Sequence, residues 1–267
     1  MYPYWLEIGS FQLPTFGPMV VLGFLVAHWV IKRELLNREL DPELASHLVT
    51  AAVVGGLVGA KGYFVLFELP PWATWGDSLR AIFSGSGLTW HGGFLVATGS
   101  VIWTIRRYEA PLAHVADAVG MGLAIGYGIG RIGCQLAGDG DYGIPTDLPW
   151  GMAYPHGVVP TTDIVHPAPV YETLAGVTIF GLLWGTRQWL SKWPGLSFSG
   201  YLLLAGLSRF LVETIRRNPE AAFGLTSAQL VSLAMMLAGL TIASRLLTNP
   251  PGVDEADEKD GTVEVPT

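Results

Sequence analysis

Several ionisable side chains lie inside long apolar stretches of this sequence, where a charge is retained only for a reason. They are Lys61, His91, Asp117, Arg131, Glu172, Arg209 and Glu213. A charge at the centre of an apolar helix costs about 2.5–3.5 kcal/mol on insertion scales, so these residues indicate a binding or catalytic site. Two simpler interpretations remain open. Arg209 and Glu213 stand four residues apart and could neutralise each other, and Lys61 could extend its amine to the membrane surface.

The stretches that hold these residues predict membrane-spanning helices. Of the 267 residues, 14% are charged and 50% are apolar, and the mean hydropathy is +0.41, whereas an ordinary soluble domain is about 25% charged. A helix needs roughly 20 apolar residues to cross the bilayer. Seven stretches qualify: 16–31, 48–67, 88–105, 112–133, 170–190, 196–215 and 227–247. We therefore predict an all-α integral membrane protein with about seven transmembrane helices in a single domain, residues 1–248.

The distribution of Lys and Arg predicts the orientation of these helices. Nine of the 15 basic residues fall in the connections on one side and three in those on the other. The positive-inside rule places the side with nine basic residues in the cytoplasm and the N-terminus outside. The C-terminal segment 249–267 has six acidic residues and one Lys, which predicts an acidic, disordered cytoplasmic tail. Asp117 falls near the inner face, where we expect a structural partner.

Alternating helix direction places the other buried ionisable groups in the outer half of the membrane, where they can converge. A cluster of cations with few carboxylates at that depth favours an anion, and the abundant anion there is a phospholipid headgroup. Arg131 and Arg209 can each donate two hydrogen bonds to phosphate oxygens. His91 could accept a proton from an incoming nucleophile. The alternative is an interfacial histidine that bonds a backbone carbonyl.

Other motifs exclude several functions. Residues 128–133 match the dinucleotide fingerprint, but they lie inside an apolar span rather than between a strand and a helix. Asp139 and Asp141 flank Gly140 as in a calcium loop, but the remaining oxygen ligands and the closing Glu are missing. No basic stripe is available for nucleic acid. Cys134 is the only cysteine, which excludes a disulfide framework. The outer segment 138–165 is long enough to be functional or to form its own small fold.

Four motifs in order resemble the prolipoprotein diacylglyceryl transferases of bacterial inner membranes. The motifs are His91-Gly92-Gly93; Gly130-Arg131-Ile132-Gly133 followed by Asp139 and Gly143; His166-Pro-Ala-Pro-Val-Tyr171-Glu172; and Arg209-Phe-Leu-Val-Glu213-Thr-Ile-Arg216. The resemblance implies a multi-pass enzyme of the inner (cytoplasmic) membrane without metal or organic cofactor. It would transfer a diacylglyceryl group from phosphatidylglycerol to the lipobox cysteine of a preprolipoprotein signal peptide, leaving a thioether and releasing glycerol phosphate.

The resemblance also implies roles for individual residues. Arg131 and Arg209 would hold the phosphate and stabilise the charge on the leaving group, and His91 would deprotonate the acceptor thiol. The implied substrate-binding residues are Gly92, Gly93, Gly133, Asp139, Gly143, His166, Tyr171, Glu172, Glu213 and Arg216. The alternatives are a divergent lipid or anion transporter and a lipid-binding protein without catalysis.

The sequence departs from the family pattern at several of these motifs. Cys134 replaces an Asn, Ala137 replaces the Asn of an Asn-Gly-Glu motif, and Phe16 replaces a Tyr. One extra residue precedes Gly143, and the usual Ser-Gln-Leu after His-Pro is Ala-Pro-Val. We interpret Cys134 as a packing residue rather than a nucleophile, because the acceptor substrate already supplies a thiol. The lost amide and hydroxyl groups predict an altered acceptor or lipid preference.

Overall fold

The computed structural model describes residues 2–8, 11–70, 74–83 and 87–249. Within them the chain forms eight α-helices, seven of which occupy the apolar stretches. They are α1 Phe16–Asn37, α2 Leu44–Tyr63, α3 Trp75–Phe83, α4 Trp90–Arg107, α5 Leu112–Ala137, α6 Ala168–Leu190, α7 Leu196–Glu213 and α8 Ser227–Thr248. A π-helical turn, Phe64–Glu68, extends α2. The predicted acidic tail lies outside the described residues from residue 250 onwards.

Four helical segments of the described chain are long and apolar enough to cross a membrane. They are Leu44–Glu68, Leu112–Ala137, Leu196–Glu213 and Ser227–Thr248. These segments confirm a mainly helical membrane protein. The short helix α3 was not predicted, because it lies in a connection rich in Pro and Trp and carries too few apolar residues to span a bilayer.

Three antiparallel hairpins in the described chain are additions to the predicted all-α fold. They pair β1 Tyr4–Ile8 with β2 Phe11–Pro14, β3 Met152–Tyr154 with β4 Thr161–Val165, and β5 Glu220–Ala222 with β6 Leu225–Thr226. Strands of two to five residues are too short for an alternating pattern to emerge from the sequence. The β3–β4 hairpin gives the outer segment 138–165 its own small fold, with Tyr142, Tyr154 and Val165 buried together.

The chain divides into two compact units, residues 1–30 with 116–267 and residues 31–115. In the first unit, apolar side chains of α1, α5 and α6 form a core around Val30, Met121 and Ile179. Asp117 of α5 also accepts hydrogen bonds from the Gly195 and Phe198 amides, at 2.9 and 2.8 Å. The buried Asp117 carboxylate thereby satisfies free N–H groups at the start of α7, which is the structural role expected of it.

In the second unit, α2 and α4 approach each other through glycine. A Cβ atom added to Gly92 would collide with the Gly59 carbonyl oxygen and with Tyr63 Cβ, and one added to Gly59 would collide with the Gly92 carbonyl oxygen. Small residues allow such close helix packing. Lys61 of α2 is buried and donates a hydrogen bond of 2.9 Å to the Ala81 carbonyl of α3. Lys61 therefore has a structural partner within its own unit.

Replacing Gly92 with Ala should lower the stability of the protein. The added methyl group has no space, and overpacking of this kind costs about 1–3 kcal/mol. Thermal unfolding in detergent measures the effect. Gly99→Ala in the same helix is the matched control, since a Cβ atom at Gly99 meets nothing within 4 Å and Ala favours the helix. Equal unfolding temperatures for the two variants would contradict this packing role.

Candidate active site

Helices α5, α6 and α7 bring acidic and basic side chains together in the first unit. Arg131 lies six residues before the end of α5, Glu172 lies in the first turns of α6, and Arg209 and Glu213 lie in the last turns of α7. Two residues outside the helices join them, Asp141 in the loop after α5 and Arg216 just after α7. We name these six residues the arginine–carboxylate cluster. Helix direction and spacing predicted the convergence of its helical members.

Glu172 is the centre of the arginine–carboxylate cluster. One carboxylate oxygen lies 3.2 Å from Arg131 Nε and 3.5 Å from Arg216 Nη1. The other accepts a hydrogen bond of 2.6 Å from the Tyr127 hydroxyl and lies 3.7 Å from Arg209 Nη1. The Glu172 side chain is only 1% exposed. A carboxylate buried this deeply requires charged partners, and three guanidinium groups supply them.

Asp141 bridges two arginines of the cluster. Its Oδ1 lies 2.5 Å from Arg216 Nη2, and its Oδ2 contacts Arg131 Nη1. Burial raises the pKa of Asp141, but the hydrogen bond from Arg216 and the charges of both arginines lower it further, and the resulting pKa lies below the ordinary value. Asp141 is therefore ionised at neutral pH, and its contribution to stability is lost only as the pH falls through that lowered pKa.

Asp139, the acid that sequence analysis assigned to the site, has a different place. Its carboxylate accepts the backbone N–H of Asp141 at 3.3 Å, which is a turn contact within the loop. Only Asp139 was assigned to the site, because it follows Gly138 as the acid of the family's Asn-Gly-Glu motif does. The structure instead places Asp141, two residues later, between the arginines.

Glu213 connects the cluster to the start of α8. It lies 2.5 Å from Arg209 Nη1 and accepts hydrogen bonds of 2.8 Å from Asn218 Nδ2 and Thr226 Oγ1. Thr226 also caps α8, in a reciprocal arrangement with Gln229. The Arg209–Glu213 pair expected from the four-residue spacing is thus present, but it is not isolated, because both residues have further partners in the network.

The charges of the arginine–carboxylate cluster balance. Among the described residues that form it, three arginines face three carboxylates. The expected excess of positive charge is not found among these six residues, because Asp141 was not counted and Lys61 donates to the Ala81 carbonyl instead of joining them. The Arg131 and Arg209 side chains remain 16% and 24% exposed, so an anion can approach both.

Gly143 fixes the loop that carries Asp141. Its amide donates to the His166 carbonyl at 2.8 Å, and the Ile144 amide donates to the Ile215 carbonyl at 2.8 Å. A Cβ atom at Gly143 would lie 2.5 Å from the Ile215 carbonyl oxygen. The absence of a side chain therefore lets the loop, the start of α6 and the end of α7 meet. In this structure the Gly143 backbone approaches protein, whereas its predicted contact with substrate stays a prediction.

His166 and Tyr171 form a polar chain beside Glu172. The Tyr171 hydroxyl lies 3.2 Å from His166 Nδ1 and accepts a hydrogen bond of 2.8 Å from Trp150 Nε1. Trp150 belongs to the outer segment 138–165 and was not identified from the sequence. These contacts tie the outer segment to the first turn of α6, which positions Glu172.

The residues that depart from the family pattern lie at the end of α5. Cys134 is buried, with Sγ 3.6 Å from Arg131 Nη1. A Cβ atom at Gly133 would lie 3.0 Å from Met19 Cβ and 3.3 Å from the Phe16 ring, both on α1. Phe16 and Cys134 therefore flank the helix turn that presents Arg131. Gly133 serves the packing of α1 on α5, and its predicted contact with a headgroup stays a prediction.

One group of potential metal ligands lies beside Arg131. Single ligand atoms of Cys134, Asp139 and Asp141 lie within 4.8 Å of one another. The Arg131 guanidinium contacts both Cys134 and Asp141. The Arg131 guanidinium thus already supplies a positive charge to two of these three residues, and we do not assign a metal site here.

His91, Gly92 and Gly93 belong to the second unit. His91 is exposed at the start of α4, and its ring contacts those of Trp90 and Tyr63, at centroid distances of 5.4 and 6.5 Å. Gly93 faces the Gly56 carbonyl, at 3.2 Å from an added Cβ atom. The predicted roles of these three residues toward substrate stay predictions.

The helices and the arginine–carboxylate cluster define a helical membrane protein with a polar site at the ends of its helices. The sequence model of the prolipoprotein diacylglyceryl transferases matches residues 3–245. Proteins named phosphatidylglycerol–prolipoprotein diacylglyceryl transferase are similar along most of the chain. That of Marinomonas sp. is 32% identical over 262 residues, covering 93% of this chain and 95% of its own, and that of Geobacter sulfurreducens is 30% identical over 253 residues, covering 90% and 94%. The chain belongs to the prolipoprotein diacylglyceryl transferase family.

A further relative is similar over a shorter part of the chain. The enzyme of the same name from Leptospira interrogans is 32% identical over 236 residues, which cover 79% of this chain and 73% of the relative. The family membership confirms the resemblance drawn from the four motifs.

Proposed function

We propose that this protein transfers the diacylglyceryl group of phosphatidylglycerol to the lipobox cysteine thiol of a preprolipoprotein. The observation that carries the proposal is the convergence of Arg131, Arg209 and Arg216 on Glu172 in a member of this family. Three guanidinium groups held by buried carboxylates suit a phosphate ligand, because arginine stays charged when desolvated and matches phosphate geometry. The products are a thioether and glycerol phosphate.

The same proposal includes the arrangement in the membrane. All seven long helices cross the bacterial inner membrane, with the N-terminus outside, residues 1–248 as the membrane domain and the tail in the cytoplasm. The bias of Lys and Arg toward one set of connections supports this orientation. It places the ends of α5 and α7, and with them the arginine–carboxylate cluster, near the outer leaflet. An exported signal peptide presents its lipobox cysteine on that side.

In the reaction, the cysteine sulfur attacks the carbon of the diacylglyceryl group that is bonded to a phosphate oxygen. A carbon–sulfur bond forms, the carbon–oxygen bond breaks, and the electron pair leaves on the phosphate oxygen of glycerol phosphate. The thiol proton passes to His91. The leaving phosphate gains one negative charge, and Arg131 and Arg209 stabilise that charge as it develops. Glu172, Glu213 and the Tyr127 hydroxyl fix the guanidinium planes beforehand, so little reorganisation is needed.

The test is turnover by the purified protein in liposomes that contain phosphatidylglycerol. A peptide with a lipobox cysteine is added, and both glycerol phosphate release and the peptide's gain in mass are followed. We expect coupled release and mass gain with the cysteine peptide and neither with a cysteine-to-serine peptide. Absence of turnover, while a known transferase works in the same assay, would overturn the proposal.

His91→Gln should lower kcat about 100-fold at neutral pH, because a general base contributes about 10²–10⁴ to the rate. The deficit should shrink above pH 8.5, where the acceptor thiol ionises by itself. His156→Gln, which changes an exposed histidine of the outer segment, is the control. The liposome assay measured across pH gives the result. Undiminished turnover of His91→Gln would remove His91 from the mechanism.

A further inference from the structure

Asp141 differs from the other two carboxylates of the arginine–carboxylate cluster. Glu172 and Glu213 lie on helices, with 1% and 0% of their side chains exposed, and each also accepts a hydrogen bond from an uncharged side chain. Asp141 lies in a loop, its side chain is 31% exposed, and its oxygens are held by two guanidinium groups. Asp141 is therefore the carboxylate that can leave the cluster with the least loss of buried contacts.

The position of the Asp141 carboxylate has the geometry of a bound phosphate. One oxygen faces Arg216 and the other faces Arg131, as two unesterified oxygens of a phosphate group would. The cluster is electrically balanced while Asp141 is in place. An added phosphate would be a fourth anionic group against three arginines, whereas a phosphate that replaces Asp141 preserves the pairing of buried charges.

The loop that carries Asp141 is fixed at both ends and leaves the Asp141 side chain room to move. Gly138 and Gly140 adopt positive φ angles of 61° and 96° on the N-terminal side of Asp141. The loop ends are fixed, since the Gly138 amide bonds the Cys134 carbonyl at 2.9 Å and the Gly143 amide bonds that of His166. Because the Asp141 side chain is already partly exposed, it can rotate into solvent while both anchors stay in place.

We propose that Asp141 is an exchangeable anion: the phosphate group of the reaction takes its place between Arg131 and Arg216, and Asp141 returns when the phosphate leaves. This inference rests on the proposed function for the source of the phosphate, which is the lipid donor or the glycerol phosphate product. It makes Arg216 part of the phosphate subsite. It also gives Asp141 a role in product release, since the returning carboxylate competes with glycerol phosphate for the same two arginines.

The test is the sign of the change in phosphate affinity when the Asp141 charge is removed. If Asp141 competes with phosphate, removing its charge strengthens phosphate binding. If Asp141 instead holds the arginines in place, removing its charge weakens phosphate binding. We expect Asp141→Asn to unfold at a lower temperature than wild type without phosphate. The variant should bind inorganic phosphate and glycerol phosphate at least about fivefold more tightly, measured as the concentration dependence of the unfolding temperature of the full chain in detergent.

Asp147→Asn is the matched control. It removes the same charge from the same outer segment, but Asp147 is exposed and is not a member of the arginine–carboxylate cluster, so its phosphate affinity should equal that of wild type. If Asp141→Asn does not fold without phosphate, Asp141→Ser is measured in the same way, and folding only with phosphate meets the expectation. Weaker phosphate binding by the Asp141 variants, or equal effects of the two Asn substitutions, would overturn the inference.

A second arm distinguishes the lipid from the free phosphate. The KM of Asp141→Asn is measured in nanodiscs of phosphatidylglycerol diluted in phosphatidylcholine, with the peptide acceptor. A lower KM together with tighter glycerol phosphate binding means that both sources use the subsite, and a lower KM alone assigns it to the lipid. If the wild-type protein shows no turnover but Asp141→Asn binds phosphate more tightly as expected, the proposed function alone is overturned. Intact turnover with weaker phosphate binding would overturn this inference alone.

Discussion

Replacing Glu172 with Gln should cause the largest loss of stability of any single change in the arginine–carboxylate cluster. The amide keeps the shape of the side chain but leaves three guanidinium groups with two carboxylates. Removal of one partner from a buried ion pair costs about 3–5 kcal/mol, because the remaining charge stays buried. Thermal unfolding of the protein in detergent should show the loss. Turnover should fall as well, since Arg131 and Arg209 lose the group that orients them.

The control for Glu172→Gln is Glu43→Gln. Glu43 pairs with Lys32 at 3.0 Å, but its side chain is 65% exposed, and exposed pairs contribute about 0–1 kcal/mol. Tyr127→Phe, which removes a single hydrogen bond to Glu172, should lie between the two. If Glu172→Gln is as stable as Glu43→Gln, the cluster does not depend on a central carboxylate.

Replacing Arg131 with Lys should cause the largest loss of activity among substitutions that keep the charge. Arg131 reaches Glu172 through Nε and Asp141 through Nη1. Lysine carries its three N–H groups on a single nitrogen and lacks this planar fork, and removal of one preorganised donor to developing charge costs about 10²–10³ in kcat. Turnover in phosphatidylglycerol liposomes measures the effect. The amount of folded protein in the membrane is determined alongside, so that lower abundance is not mistaken for slower chemistry.

Arg217→Lys is the matched control for Arg131→Lys. Arg217 is also next to the cluster, but it is exposed and lies over the Tyr142 ring, at 5.6 Å from the ring centroid. Its turnover should stay within about twofold of wild type, in keeping with the small effect of exposed charges. Comparable losses in the two variants would indicate a general dependence on positive charge rather than a specific role of Arg131.

The sequence predicted the helices and most of the cluster because both follow from spacing. Apolar length located seven long helices, and alternating direction brought Arg131, Glu172 and Arg209 to one end of them. Asp141 was missed because a loop has no periodicity from which to decide which of two acids faces inward. Its position depends on contacts with His166 and Ile215, which are distant in sequence. The short hairpins were missed because strands of two to five residues are too short to show an alternating pattern.

The membership of the cluster could not be predicted from the helices alone, because Asp141 lies in a loop. Nor could the central place of Glu172, which contacts three arginines at distances that only the folded structure defines. The surroundings of the glycines could not be predicted from the sequence either. Gly92 and Gly143 were predicted only as substrate-binding residues, and the structure adds that each meets a backbone carbonyl of another segment. A sequence shows where side chains are absent, but not what fills the space.

The bond from Thr226 to Glu213 has a consequence for biosynthesis. Thr226 caps α8, the last helix among the described residues, and at the same time bonds a carboxylate that contacts Arg209. Because α8 follows α7 in the chain, Glu213 lacks this partner until α8 has been synthesised and has packed. A nascent or truncated chain without α8 would carry its arginines in an incomplete arrangement. On the proposed function, the support that Thr226 gives to Arg209 through Glu213 is complete only once α8 is in place.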